Sequence, residues 1–220
     1  MSQSKRNRYD YLGWVLEKVP TLPFDPDFRC GDEDLQQYFN RDSVLYQKEL
    51  LTQSYRFYQE DLPEITAARV DFCNDALLRE EMGSGVKGKI NNNKRFLKSF
   101  PAIKITRLGV QEKLHRMGVG SKLLNIVKLL FLTDNRTGCR FLTVDAYEDA
   151  VPFYTRNGFR PLLVKREIAN LKKEQDREIA LSLETHKDDP PRKRTIPLLF
   201  DLKSLCDPAT GEVIAPKSAD

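Results

Sequence analysis

Apolar and polar positions along the chain follow two periods, and their alternation predicts an α/β protein. Residues 11–19 read as a first strand, ended by Pro20 and the Pro-rich stretch 22–26. Gly31 and Asp32 then open a helix on which Leu35, Tyr38, Phe39, Leu45 and Tyr46 recur at three- and four-residue steps. Asp32, Glu33 and Asp34 suit its electropositive N-terminal end. Residues 53–59 and 65–74 read as strands joined by the turn Asp61-Leu62-Pro63-Glu64, an antiparallel hairpin. Asp75 is expected to cap a short helix ending near Met82-Gly83, and residues 84–94, rich in Gly, Asn and Lys, read as a mobile loop.

The second half opens with a strand over 103–110, followed by a loop and Gly118-Val119-Gly120. Behind the glycines a helix carries Leu123, Leu124, Ile126, Val127, Leu130 and Phe131. Gly138 precedes an apolar strand, 139–146. A short helix over 149–156 stops at Asn157-Gly158, and a strand over 159–165 follows. Residues 167–183 are highly charged and helical in pattern, an insertion of about 166–190. Residues 188–194 read as a linker, 195–202 as a last strand, and 206–220 as a disordered tail. Strand, glycine turn, helix and strand over 103–146 make a βαβ unit, so its two strands should be parallel. The expected fold is a single α/β domain over residues 1–205. Its mixed sheet holds about six or seven strands and is flanked by helices.

The length of 220 residues allows one domain with additions or two small ones. With 40% hydrophobic and 31% charged residues the composition is that of a soluble globular chain, and no apolar run reaches the length of a bilayer span. Residues 1–8 are polar and basic and lead into no apolar signal core, so a cytosolic protein without membrane contact is expected. Cys30, Cys73, Cys139 and Cys206 are scattered and there are only two histidines, which argues against a metal site. The net charge of +4 is mild, but residues 82–111 hold no Asp or Glu while carrying Lys87, Lys89, Lys94, Arg95, Lys98, Lys104 and Arg107. That stretch is either a solvated basic loop or a surface that attracts a polyanion.

Two segments carry candidate chemistry. In His115-Arg116-Met117-Gly118-Val119-Gly120-Ser121 a glycine turn meets a helix N-terminus, where unpaired amides and the helix dipole suit a phosphate and Arg116 can add a charge-assisted contact. The spacing is neither a Walker loop nor a dinucleotide fingerprint, and a plain strand-helix turn is the competing reading. In Ala150-Val151-Pro152-Phe153-Tyr154-Thr155-Arg156-Asn157-Gly158-Phe159, Phe153 and Phe159 can pack the core, with Tyr154 on a short helix past a strand's carboxyl end. The competing reading of Tyr154 is a core aromatic.

Together, in this order, the two segments resemble the GCN5-related N-acetyltransferase superfamily. The glycine turn resembles its Q/R-x-x-G-x-G/A loop for acyl-CoA, and Phe153-Tyr154-x-x-x-Gly158-Phe159 resembles its closing F-Y-x-x-x-G-F. Phe28-Arg29-Cys30-Gly31, with Leu35 and Phe39, resembles the start of a branch that holds both toxins acetylating aminoacyl-tRNA and many uncharacterised bacterial acetyltransferases. Two positions depart from the pattern. His115 stands where Gln or Arg is usual, and Tyr147 stands where many relatives carry Asn. The resemblance implies a sheet splayed between its fourth and fifth strands, with the acyl-CoA arm paired to the backbone of Leu108, Gly109 and Val110. It also implies a diphosphate at Arg116, Met117, Gly118, Val119, Gly120 and Ser121, with further contacts from Ala150 and Phe153.

The implied reaction is direct attack by a primary amine on acetyl-CoA, releasing coenzyme A, with Tyr154 as the acid for the departing thiolate. A tyrosine near its ordinary pKa of ~10 is protonated at neutral pH and can serve. Glu148, Asp145 and Asp75 are candidate bases, and water is the alternative. The acceptor is a small molecule, a peptide or a charged tRNA. The tRNA reading would make the protein a toxin with an antitoxin partner, favoured by the acid-free basic stretch and by Arg192-Lys193-Arg194. A homodimer is compatible with every reading. A silent acyl-CoA-binding regulatory module and a plain nucleic-acid-binding protein are the rivals from other classes.

Overall fold

The computed structural model describes residues 8–19, 27–82, 97–135, 138–185 and 193–214. The chain divides into two compact units. The first comprises residues 1–73, 104–139 and 202–220, and the second residues 74–103 and 140–201. Among the described residues there are eight strands, against the six or seven expected. The added strand comes from the N-terminus. Residues 11–19 were expected as one strand; instead β1 (Arg8–Tyr11) and β2 (Trp14–Lys18) form a hairpin closed by Leu12 and Gly13, at φ 51° and 73°. Two left-handed central residues give the turn whose twist matches a hairpin, and Gly13 adopts its half without strain.

The first unit continues with α1 (Glu33–Gln37), a π-helical turn (Tyr38–Asp42) and α2 (Ser43–Lys48). Asp32 caps α1, its carboxylate accepting from the Leu35 amide at 3.0 Å. The π turn sends both Tyr38 and Phe39 inward, whereas Leu45 and Tyr46, expected on the same face, are exposed. The strands β3 (Gln53–Gln59) and β4 (Ala68–Leu78) pair antiparallel, as the hairpin pattern predicts. In this unit the strand order is β1-β2-β3-β4-β5, where β5 is Ser99–Val110. The helix α3 (Val119–Thr133) follows the glycine turn and buries Leu123, Leu124, Ile126, Val127 and Leu130.

The second unit holds the end of β4, the start of β5, β6 (Phe141–Tyr147), a 3-10 turn (Glu148–Ala150) with α4 (Val151–Arg156), β7 (Arg160–Pro161), α5 (Lys165–Thr185) and β8 (Thr195–Asp201). Here the first residues of β5 neighbour β6 in parallel, and β8 pairs antiparallel with both β6 and β7. Phe100, Ala102, Phe141, Leu199, Leu77 and Met82 form its core. Arg140 forks onto Asp201, Nε to Oδ1 at 3.1 Å and Nη2 to Oδ2 at 2.9 Å, locking β6 to the end of β8.

Three sequence expectations are corrected. Asp75 caps no helix, because β4 runs on to Leu78 and the Asp75 carboxylate accepts from Thr143 Oγ1 on β6. The strand expected over 159–165 is two residues long, since α5 begins at Lys165. Residues 207–214, expected to be disordered, close a small turn in which Cys206 bridges Val213 and the Asp207 amide donates to the Glu212 carbonyl at 2.7 Å. The loop expected over 84–94 and residues 188–192 of the linker lie outside the described residues. No described helix is long and apolar enough to cross a membrane.

One glycine governs packing in the first unit. A Cβ on Gly109 would lie 2.8 Å from the Phe39 ring and 3.1 Å from Cβ of Cys30. Both neighbours belong to the buried cluster of Phe28, Cys30, Tyr38 and Phe39. Gly109→Ala should therefore destabilise the protein by about 1–3 kcal/mol through overpacking. Thermal unfolding should show a fall of about 2–4 °C for each kcal/mol lost.

Candidate active site

In the first unit, the loop after β5 is tied down before it reaches the glycines. Gln111 donates its amide to the Ala67 carbonyl at 2.8 Å and accepts from the Arg29 amide at 2.7 Å. Glu112 donates its amide to the Arg29 carbonyl at 2.7 Å. His115, at the variant motif position, is 2.9 Å through Nε2 from the Val110 carbonyl, a contact that requires the proton on that nitrogen. Its ring thus braces the loop, and it also occupies one of the backbone groups expected to pair with an acyl-CoA arm.

Past this brace, Arg116 and Gly118 both take left-handed backbone angles, φ 63° and 77°. For Gly118 the demand is conformational only, since a Cβ there would meet nothing within 4 Å. Gly118 is the N-cap of α3 and supplies no side-chain cap, and the first turn holds no acidic residue. The first intrahelical bond runs from the Lys122 amide to the Gly118 carbonyl at 3.1 Å. The amides of Val119, Gly120 and Ser121 therefore have no intrahelical acceptor at the positive end of a 15-residue helix. Arg116 and Met117 are exposed beside them. This donor set fits an anionic diphosphate.

In the second unit, β6 ends at Tyr147 and the 3-10 turn delivers the chain into α4, which starts with Pro152 in its first turn. The helix closes after six residues. The Phe159 amide returns to the Tyr154 carbonyl at 3.0 Å, and the Asn157 side chain donates to the Phe153 carbonyl at 2.9 Å. Gly158 is required twice, by φ 84° and by a Cβ position 2.9 Å from the Phe200 ring. Tyr154 is 6% exposed and stands edge-on to Phe153 and Phe159, with centroids at 5.0 and 5.4 Å. Burial pushes its pKa well above the ordinary tyrosine value, and its hydroxyl has no hydrogen-bond partner among the described residues. The phenol therefore keeps its proton at neutral pH, and burial also lowers its acidity.

The candidate bases fare differently. Glu148 pairs with Lys172, and with Arg194 at 3.4 Å, and these cations lower its pKa. A carboxylate held in that state is a weak base. Asp75 already accepts from Thr143 and from the Ala76 amide. The Tyr147 ring is covered by Lys193, whose ammonium lies 4.9 Å from the centroid.

One group of residues was missed from sequence. Asp71 is fully buried in β4 and accepts at Oδ2 from Tyr38 (2.9 Å) and Ser54 (2.7 Å), with Arg69 and Arg107 close enough to interact electrostatically. Burial raises its pKa against these opposing contacts. Arg107, counted from sequence within a basic surface, instead lies over the Tyr38 ring at 4.9 Å with its Nε buried. The available signal was Arg69 and Asp71 two residues apart on a strand with neighbours on both sides, which places two charges on one buried face.

Comparison with known proteins finds a domain match over part of the chain and a shared fold. Residues 70–172 match the acetyltransferase (GNAT) domain. No curated protein sequence matches the chain. Among solved structures, AtaT complexed with acetyl-methionyl-tRNAfMet is 18% identical with a TM-score of 0.62, covering 87% of this chain and 96% of that one. A tyrosine-to-phenylalanine mutant of KacT is 16% identical with a TM-score of 0.64, covering 87% and 96%. AtaTR bound with AcCoA is 20% identical with a TM-score of 0.59, covering 87% and 95%. At these identities the likeness establishes a shared fold.

The ion-paired state of Glu148 yields a prediction. Glu148→Gln should leave acetyl transfer within about two-fold of the parent, as expected for a surface ion pair. A steady-state assay of thiol release checks this, and a loss of two orders of magnitude would restore Glu148 as a base.

Proposed function

We propose, for a chain that carries a GNAT acetyltransferase domain across residues 70–172, that acetyl-CoA is the donor and the α-amine of an aminoacyl-tRNA the acceptor. The observation that carries the first half is that one domain match spans both the uncapped start of α3 and Tyr154. The second half is supported by the neighbouring fold of AtaT, solved with acetyl-methionyl-tRNAfMet. It is also supported by the acid-free stretch 82–111, whose lysines and arginines suit a phosphate backbone. An α-amine, with a pKa near ~8, also needs less help to lose its proton than a lysine side chain at ~10. Acceptors that are small molecules or peptides remain the second reading, since the domain match alone speaks only of acetyl transfer.

Acetyl-CoA, when bound, supplies the activated acetyl thioester. The amides of Val119, Gly120 and Ser121 hold its diphosphate, and Arg116 adds charge. The backbone of Leu108, Gly109 and Val110 would pair with the arm, apart from the Val110 carbonyl already bonded to His115, and would offer an N–H to the thioester oxygen, where a fixed donor is worth most because it needs no reorganisation. Tyr154 keeps a proton on its hydroxyl and gives it to the departing sulfur. The neutral amine attacks directly, so no nucleophilic side chain is needed, and the proton its nitrogen loses passes to water, from which the Tyr154 hydroxyl is restored.

Tyr154→Phe should lower kcat by about 10²- to 10⁴-fold. Acetyl-CoA affinity measured by calorimetry should be unchanged, and a turnover equal to the parent's would reject the acid role. The pH profile gives a second check. A phenol raised by burial stays protonated below its unfolded value of ~10 and loses that form only at higher pH. Turnover should therefore rise through the amine's titration and show no alkaline fall before pH ~10. Expression in a bacterial host should arrest growth, and Tyr154→Phe should relieve the arrest. Normal growth with active enzyme would move the acceptor to a small molecule or peptide.

A further inference from the structure

Apolar packing holds a helix against a sheet but is non-directional, so by itself it does not fix how far the helix slides or rolls. The amides proposed to hold the diphosphate need that precision, because a hydrogen bond weakens steeply once its geometry is lost. In the first unit the hairpin β1–β2 makes directional contacts with α3 at both ends. At the start of the helix the Lys122 ammonium lies over the Trp14 ring, 5.1 Å from its centroid. At the far end Tyr9 donates its hydroxyl to Oδ2 of Asp134, the C-cap, at 2.8 Å. Lys122 and Asp134 are twelve residues apart. On a helix that is roughly 18 Å along the axis and about a third of a turn out of line. Two contacts so placed oppose both slide and roll.

The hairpin is itself held in place. Trp14 stacks on Phe57 of β3, with centroids 4.7 Å apart and planes at 15°. Trp14 also pairs with Gln59 across β2 and β3, and the Glu60 amide donates to the Gly13 carbonyl at 2.9 Å. Arg8 Nη2 reaches Glu60 Oε1 at 2.9 Å. Lys122, by contrast, breaks a local rule. It is an exposed cation near the electropositive end of α3, whose first turn holds no acidic residue. Contact with an indole, the aromatic face that attracts cations most strongly, offsets that penalty. Such a broken rule with its own compensating partner is the pattern found where function constrains a sequence.

We propose that the β1–β2 hairpin is a clasp on α3, and that Trp14, Lys122 and Tyr9 are positioning residues for the acyl donor. They hold the amides of Val119, Gly120 and Ser121 where a diphosphate meets them, and they act through the helix without touching the donor. The clasp rests on the acetyl-CoA reading above and extends it to a part of the chain outside the acetyltransferase domain match, which begins at residue 70. The matched residues contain the amides, and residues 8–18 contain what sets their position.

The test is calorimetry on the full chain with coenzyme A and with pantetheine, which keeps the thiol arm and lacks the diphosphate. The parent should bind coenzyme A the more tightly. Equal affinities in the parent would overturn the diphosphate placement, and the clasp with it. Trp14→Leu and Tyr9→Phe should each weaken coenzyme A by roughly 3- to 10-fold, within the range that a displaced contact costs, and leave pantetheine unchanged. Trp14→Phe keeps a ring for both Lys122 and Phe57 and should stay within about two-fold of the parent. Lys122→Met should match Trp14→Leu, and the double variant should lose no more than either single one, because the two residues act as a pair. If Trp14→Leu does not fold, Tyr9→Phe decides alone. Folded variants that bind coenzyme A as the parent does would overturn the clasp. Equal losses for coenzyme A and pantetheine would reduce it to a structural role. Additive losses at Trp14 and Lys122 would overturn it in favour of a direct contact between Lys122 and the donor.

Discussion

The close approach of Phe39 to Gly109 is the constraint on which the first unit depends. A strand residue without a side chain lets an aromatic ring reach the backbone of β5, and only glycine gives that room. The ring brings Tyr38 with it, because the π turn sends both residues inward. Tyr38 then reaches Asp71 on β4. The same cluster includes Phe28 and Cys30, which lead into Arg29, whose backbone braces the loop after β5. One missing methyl group therefore sets the helix, the buried carboxylate and the loop that leads to α3.

In the second unit burial does the equivalent work on Tyr154. Two aromatic edges and a short helix remove the phenol from water, and desolvation disfavours the phenolate. The effect keeps the proton on the hydroxyl at neutral pH and at the same time makes the phenol a weaker acid. The carboxylates nearby in sequence do not compete for the opposite role, because Glu148 is held ionised by two cations and Asp75 is spent on Thr143.

Legibility in the sequence followed the kind of signal. The glycine turn, the helix behind it and the Phe-Tyr-x-x-x-Gly-Phe segment were readable because each depends on local spacing, and the family match falls across them. The Leu12-Gly13 turn was not, since Leu at a left-handed position hides the usual turn pair and the two short strands read as one. Asp75 was misread because an acidic residue before Ala-Leu-Leu suits a helix start, while its partner Thr143 lies 68 residues away. Asp71 was passed over because Val70, Phe72 and Cys73 around it read as an apolar strand. Its meaning depends on Tyr38, Ser54 and Arg107, which only the fold assembles.

The distribution of positive charge sets where a polyanion could be held. The trio Arg192-Lys193-Arg194 looked suited to phosphate, but Lys193 lies over Tyr147 and Arg194 binds Asp176 at 2.7 Å as well as Glu148. Cations already paired within their own unit release few counterions on binding a nucleic acid. The helix α5 behaves likewise. Gln175 exchanges two hydrogen bonds with Thr195, donating to its carbonyl and accepting from its amide, and Lys172 is engaged with Glu148. This charged insertion is therefore best understood as a brace on β8 and the end of β6. In the sequence, the run with no acidic residue to neutralise it is Lys87, Lys89, Lys94, Arg95 and Lys98, so any long-range attraction of a polyanion would start there.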